Sequence, residues 1–338
     1  MDNFGAGLLV MLASGWLNSA FPLPLKFARG WKWENTWLVF SILTFWLLPW
    51  AVACSFNPGL GATFANTPWK TFAPAAGFGL VWGFAQVTFG LSFPLVGMAM
   101  SFAIVIGLCG VLGSLIPMAV LYPDQLLGVR GAALLVSTLI LAAGLRLYTQ
   151  AARQREADSN PAGRSESRSN YRLGLILCVF TGVLGSALNL GFALSDTLAK
   201  RLTGTGSTPL AASFAVWAVV LAGGSIPNLA YSIYLLARNR TFACFGAGLG
   251  REFMLAAAMS VLWLGGTLGY GVGATLMGAY GTSIGYAIYV TILILGSTIM
   301  GVMTGEWRAA RPATYRRMKA ALGVILAAVL ILSATGLL

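Results

Sequence analysis

The chain has 338 residues, 58% of them hydrophobic and 9% charged, with a formal net charge of +12. Soluble domains carry roughly a quarter charged residues, which excludes a water-soluble globular class, and a mean hydropathy of +0.80 agrees. The 21 Lys and Arg lie between apolar runs with no interleaved aromatic stripe, which argues against a nucleic-acid surface. The chain contains no His, the commonest metal ligand and general base, so no metal centre, cofactor or enzymatic site is expected.

Uncharged stretches of about 20 residues can each cross a hydrocarbon core of roughly 30 Å as a helix. Ten are expected, at 4–25, 35–56, 72–93, 98–121, 127–147, 173–195, 210–235, 254–275, 280–303 and 318–337. The first is read as a retained helix, because Met1-Asp2-Asn3-Phe4 lacks the basic start of a signal peptide. Between the fifth and sixth, Thr149 to Tyr171 is the one long polar stretch and has the composition of a solvated linker. It separates a first five-helix repeat, 1–148, from a second, 172–338. Cys54, Cys109, Cys178 and Cys244 have no paired spacing and are expected as free thiols.

Loop basicity sets the orientation. With the N-terminus outside, 17 Lys and Arg fall on the inner side and only Lys70, Arg130, Lys200 and Arg201 on the outer. Both termini are therefore expected outside, with linker 149–171 in the cytoplasm of a cell with a bacterial-type inner membrane.

The two repeats look related. Residues 71–123 and 253–305 are each 53 residues long and free of charge, and Trp82, Gly90 and Gly97 align with Trp263, Gly271 and Gly278 at one offset. Five spans is an odd number, so the second repeat enters from the opposite face. The expected fold is an all-α polytopic membrane protein, ten helices in a 5+5 inverted-topology repeat, an architecture common among secondary transporters.

Several blocks resemble the L-rhamnose–proton symporter family within the drug/metabolite transporter superfamily. They are Trp31-Lys32-Trp33-Glu34 running on to Trp37, Trp46-Leu47-Leu48-Pro49-Trp50, and Trp82-Gly83-Phe84 with Phe89-Gly90-Leu91 and Gly97-Met98-Ala99-Met100. Gly223-Gly224 with Asn228, and Glu306-Trp307, complete the set. The resemblance implies uptake of a 6-deoxyhexose such as L-rhamnose or L-fucose, coupled to protons, across the lipid bilayer. In the ninth span this chain reads Gly281-Thr282-Ser283 where the family pattern is associated with an acidic residue, which bears on both sugar and coupling. An uncoupled facilitator or an exporter of another small metabolite is the alternative.

A neutral sugar needs amides and hydroxyls to replace water and an aromatic ring to stack on. At mid-span depth the polar candidates are Asn18, Gln86, Thr88, Ser186, Asn189, Thr282 and Ser283. The aromatic candidates are Trp82, Trp217, Trp263, Tyr270, Tyr280 and Tyr286. The bland alternative for each is an interhelical bond or simple packing. Trp31, Trp33, Trp37, Trp46 and Trp50 are expected in the interfacial aromatic belt. Of nine acids, Glu34 and Asp196 are the candidates for proton coupling. Glu252 reads as an acid that merely suits a helix dipole, and Glu156, Asp158 and Glu166 as solvated linker.

Overall fold

A computed structural model describes residues 3–96, 98–125, 128–159, 168–305, 307–308 and 310–334. All regular structure among them is helical. The order is α1 (Phe4–Ala20), a 3-10 turn (Pro24–Phe27), α2 (Trp33–Ile42), a π-helical turn (Leu43–Leu47), α3 (Leu48–Phe56) and α4 (Leu60–Ala65). Next come α5 (Trp69–Val96), α6 (Met98–Leu121), a 3-10 turn (Pro123–Gln125) and α7 (Val129–Ser159). After 160–167 follow α8 (Arg168–Gly185), α9 (Ala187–Ala193), α10 (Asp196–Gly204), α11 (Pro209–Asn239) and a 3-10 turn (Phe242–Gly246). The chain ends with α12 (Leu249–Leu276), a 3-10 turn (Gly278–Tyr280), a π-helical turn (Gly281–Gly285), α13 (Tyr286–Met303) and α14 (Pro312–Ala334).

Eight described stretches are long and apolar enough to cross a membrane: Trp33–Phe56, Trp69–Phe89, Ile104–Leu121, Gly131–Arg155, Arg172–Gly204, Pro209–Asn239, Leu249–Leu276 and Gly281–Met303. Apolar α1 is shorter, at 17 residues, and α14 has 23. Side chains such as Leu139, Ile176 and Val261 are more than half exposed, as suits helices that face lipid.

Three boundaries differ from the sequence expectation. The first helix stops at Ala20 because Pro22 and Pro24 cannot donate to a helical ladder, and the chain turns into 3-10 geometry. The sixth stretch is interrupted at Ser186, between α8 and α9. Helix α7 runs on to Ser159, so the first part of the expected linker is helical. Asp158 there is no solvated linker acid. It accepts hydrogen bonds from the Arg311 amide (3.0 Å) and the Thr314 hydroxyl (2.8 Å) and pairs with Arg311 Nε (3.2 Å). It therefore caps α14 from a neighbouring helix.

Those two hydrogen bonds, from the Arg311 amide first, hold Asp158 below its ordinary value of 3.8. A depressed folded-state pKa means the stabilisation is complete above the ordinary value and is lost as pH falls through the lower one. Asp158→Asn is expected to lower the protection factors of the amides at 311 and 313–316, and acidification through that lowered value to do the same in the unmodified chain. Exchange at these amides that ignores both changes would remove the cap from the account.

Helix packing is close where glycines face one another. A Cβ on Gly79 would lie 1.9 Å from the Val220 carbonyl oxygen, and one on Gly223 would lie 2.2 Å from that of Ala76. Helices α5 and α11 therefore touch backbone to backbone, as small residues allow in lipid. These contacts also fix direction. Residues 76 and 83 of α5 meet 223 and 227 of α11, so the two run parallel, whereas Gly191 meets Phe78 and Thr181 meets Thr88, so α8 runs against α5. The start of α8 and the end of α11 therefore share one end of the bundle, the linker end, and the start of α11 lies at the far end.

The opening helices are exchanged. Helix α1 packs on α12 and α13, and α8 packs on α5 and α6. Each opening helix thus rests on the third and fourth long stretches of the other portion of the chain, and α7 and α14 pack on each other.

Candidate functional site

The polar centre is built on Asn189, in the short α9 that follows the break at Ser186. Fully buried, it donates through Nδ2 to the carbonyls of Gly113 on α6 and Thr282 in the second π-helical turn (2.8 Å). Its Oδ1 accepts from the Tyr270 hydroxyl on α12. One amide therefore ties four elements. The π-helical turn at Gly281–Gly285 sets the Thr282 carbonyl where Asn189 reaches it; such turns recur at functional sites.

Aromatic rings surround this amide. Phe192 stacks on Trp217 at 4.8 Å, and Tyr270 stands edge-on to Trp217 (6.0 Å) and Tyr286 (5.6 Å). The buried Trp217 Nε1 has no hydrogen-bond partner, and a Cβ on Gly271 would lie 2.4 Å from it. Tyr289, three residues beyond Tyr286, joins the layer at 5.1 Å from Tyr270, and its hydroxyl bonds with Thr267 and Asn18.

Asn18 sits deeper along α1. Its Nδ2 donates to the Trp263 carbonyl (3.1 Å) and to Thr267 Oγ1 (3.2 Å), which fastens α1 to α12. Trp82 and Trp263 meet at 5.7 Å, and Phe45 stands edge-on to both. Phe45 is delivered by the first π-helical turn, which precedes Pro49. Proline supplies no donor and crowds the carbonyl four residues back, so the ladder widens there.

A cavity of about 310 Å³ opens at the far end of the bundle. Phe192, Val216, Ala274 and Thr282 line it toward the aromatic layer, and Ser195, Asp196, Lys200 and Ser213 line it elsewhere. Asp196 pairs with Lys200 at 2.5 Å on an exposed face. At the linker end Glu34 is buried, and its Oε1 accepts from Asn239 Nδ2 (3.0 Å) and Thr241 Oγ1 (2.8 Å).

The structure thus brings Asn189, Trp217, Tyr270, Tyr286 and Thr282 into one layer, and Asn18, Trp82 and Trp263 into an adjoining one. Gln86 is half-buried one turn beyond Trp82 on α5. Ser186 bonds to the Val183 carbonyl beside its own helix break, and Thr88 shares a hydroxyl contact with Thr181. The Tyr280 side chain lies outside the described residues, as do Gly97 and Glu306.

With this geometry in place, comparison with known proteins is decisive. Residues 3–338 match the family described as L-rhamnose-proton symport protein (RhaT). The chain belongs to this family. Curated relatives named L-rhamnose-proton symporter, from Shigella boydii (25% identical) and Escherichia coli (24% identical), align over 306 residues, 88% of this chain and 88% of each relative. A crystal structure of a protein 15% identical covers 97% of this chain and 95% of its own with a TM-score of 0.54, which shows a shared fold. The rhamnose symport family is one of transporters, not of enzymes.

Within this symport-family chain the tryptophan-rich block does not simply form a belt. Trp31 is buried against Phe245, Trp37 Nε1 donates to Asn228 Oδ1 (3.2 Å), and Trp46 Nε1 donates to Ser225 Oγ (2.5 Å). The Trp37 and Trp46 indoles hold α2 and its π-helical turn to α11, while Trp31 packs on the turn that follows α11. Sequence reasoning missed Phe192, Tyr289 and Phe45. For the first two a signal existed, since each lies three residues, about one helical turn, after a candidate already named.

Proposed function

We propose that this chain takes up L-rhamnose, or a related 6-deoxyhexose such as L-fucose, together with protons. Two five-helix halves, ten helices in all, alternate access around the Asn189–Tyr270 layer. The linker and the Glu34 end face the cytoplasm, both termini lie outside, and the membrane is the inner membrane of a bacterium.

The observation that carries the reading is the layer itself: a fully buried amide bonded to a tyrosine, ringed by Phe192, Trp217 and Tyr286, beside a cavity at the far end. Amide and hydroxyl groups suit sugar hydroxyls, and the rings suit the apolar face of a deoxyhexose. The exchanged opening helices and the Trp82–Trp263 contact support the inverted repeat. The names of the relatives, L-rhamnose-proton symporter, support rhamnose and protons.

A second reading draws on one observation. The described carboxylates stand at helix ends and none joins the aromatic layer, which favours an uncoupled facilitator. Proteoliposomes decide between the two. Labelled L-rhamnose should accumulate under an inward proton gradient and collapse with a protonophore, and unlabelled L-fucose should compete. Equilibration without accumulation would establish the facilitator, and no movement of either sugar would refute both.

A further inference from the structure

At the linker end each portion of the chain sends one carboxylate into the other. Glu34, on α2, takes its donors from Asn239 and Thr241. Glu252, in the first turn of α12, takes its donors from the segment after α1: the amides of Arg29 (3.0 Å) and Gly30 (3.1 Å). Arg251 Nη1 stands 3.4 Å from the same oxygen, and its Nη2 donates to the Phe27 carbonyl (2.7 Å). The segment lies flat against its neighbour, because a Cβ on Gly30 would come within 2.7 Å of the Ala247 carbonyl oxygen.

The helix dipole alone would favour an acid at this place, but it would not bury it. Glu252 is 2% exposed, and its bonds cross more than two hundred residues of sequence. All of those bonds go to Oε1. Oε2 is buried with no partner. A buried carboxylate oxygen without a donor is costly, and it is the one atom of this clasp with room in its chemistry for a proton.

We propose that Glu252 is the latch of the gate at the linker end, and that a proton on Oε2 releases it. The inference rests on the alternating-access reading above. As a carboxylate Glu252 holds the 29–30 amides through charge-assisted bonds; as a neutral acid it accepts more weakly and carries a donor with no acceptor beside it. Protonation therefore favours parting of the 28–31 segment from α12, which opens the end that Glu34 and Glu252 now close. The proton comes from water and returns to water once the parted carboxyl is solvated. Charged residues on the elements packed around it are Arg29 and Lys32 on the segment, Glu34 on α2, and Arg238 and Arg240 at the end of α11. Arg251 on its own helix pairs with it. The Lys26 side chain lies outside the described residues.

Native cysteines supply the reporter. Cys244 is half-buried in the turn whose Phe245 packs on Trp31, and Cys54 is exposed elsewhere. Maleimide labelling of both is followed by peptide mass spectrometry on the full chain in nanodiscs, without sugar. The Cys244-to-Cys54 ratio is read against the same ratio in the denatured chain at each pH. It should rise several-fold as pH falls from about 7 to about 4 in the unmodified chain, and be high and flat in Glu252→Gln. In proteoliposomes the same variant should lose proton-driven accumulation of L-rhamnose. A flat ratio in the unmodified chain overturns the latch, as does a pH-dependent ratio in a folded Glu252→Gln. If Glu252→Gln does not fold, the unmodified pH profile decides alone. If the unmodified chain moves no rhamnose, the transport reading fails while the labelling still tests the latch.

Discussion

Asn189→Leu is expected to lower rhamnose exchange by at least about 100-fold. Leucine keeps the branched skeleton, but its methyl groups neither donate nor accept and cannot sit at hydrogen-bond distance. It leaves the carbonyls of Gly113 and Thr282 without their amide donor and the Tyr270 hydroxyl without its acceptor. Each buried polar group left unpaired costs roughly 1–3 kcal/mol, and two of them suffice for a factor of 100. The penalty falls on the one residue that ties α9, α6, α12 and the second π-helical turn together. Tyr270→Phe, which removes a single bond from the same knot, should lose much less. Counterflow of labelled L-rhamnose in proteoliposomes, scaled to protein that elutes as a single species, measures both. Near-normal exchange by the leucine variant would take Asn189 out of the transport path and leave it a packing residue.

Gly79→Val and Gly223→Val are expected to prevent the bundle from assembling. The oxygens that a new side chain would strike belong to the Val220 and Ala76 backbones, so no rotamer change relieves the clash. Overpacking by a methylene ordinarily costs about 1–3 kcal/mol; here two long helices must separate along their length, and the loss is larger. Gly77 is the internal control. It lies on the same helix two residues from Gly79, and nothing comes within 4 Å of a Cβ built there. Gly77→Ala should leave the thermal midpoint in detergent unchanged within about 2 °C, or raise it slightly through helix propensity, while the valine variants should yield no cooperative transition. A valine variant that melts like the unmodified chain would mean that α5 and α11 are not in backbone contact.

The apolar stretches were legible because lipid tolerates so little else: Pro209–Asn239 and Gly281–Met303 sit within a few residues of expectation. Proline marked where α1 had to stop, but it did so through geometry that charge counting ignores. The polar residues were readable as candidates and unreadable as partners. Nothing near Asn189 in sequence announces that Thr282 will offer a carbonyl, since that depends on a π-helical turn in another helix. Glu252 is hard to read from sequence for the same reason. Its local setting is that of an ordinary helix-start acid, and only the return of residues 28–31 from the other portion of the chain makes it a clasp. For Trp37 and Trp46 sequence points to an interfacial belt, because indoles favour interfaces, but it does not show that their N–H groups find acceptors on α11.

The exchange of opening helices imposes an order on biosynthesis. Asn18 leaves the ribosome early, yet its acceptor on Trp263 lies 245 residues further along. At ordinary synthesis rates that separation is roughly 10–50 s. For this interval the first helix carries an unpaired amide in the membrane, and the groove it will fill between α12 and α13 does not yet exist. The nascent chain must therefore either keep α1 sheltered at the insertion machinery or let it wander in the bilayer until the last third of the protein arrives. Helix α8 faces no such delay, because α5 and α6 are already inserted when it emerges. The two ends of the gene product thus meet different hazards, and a pause in translation before residue 263 should be far more damaging than one after residue 303.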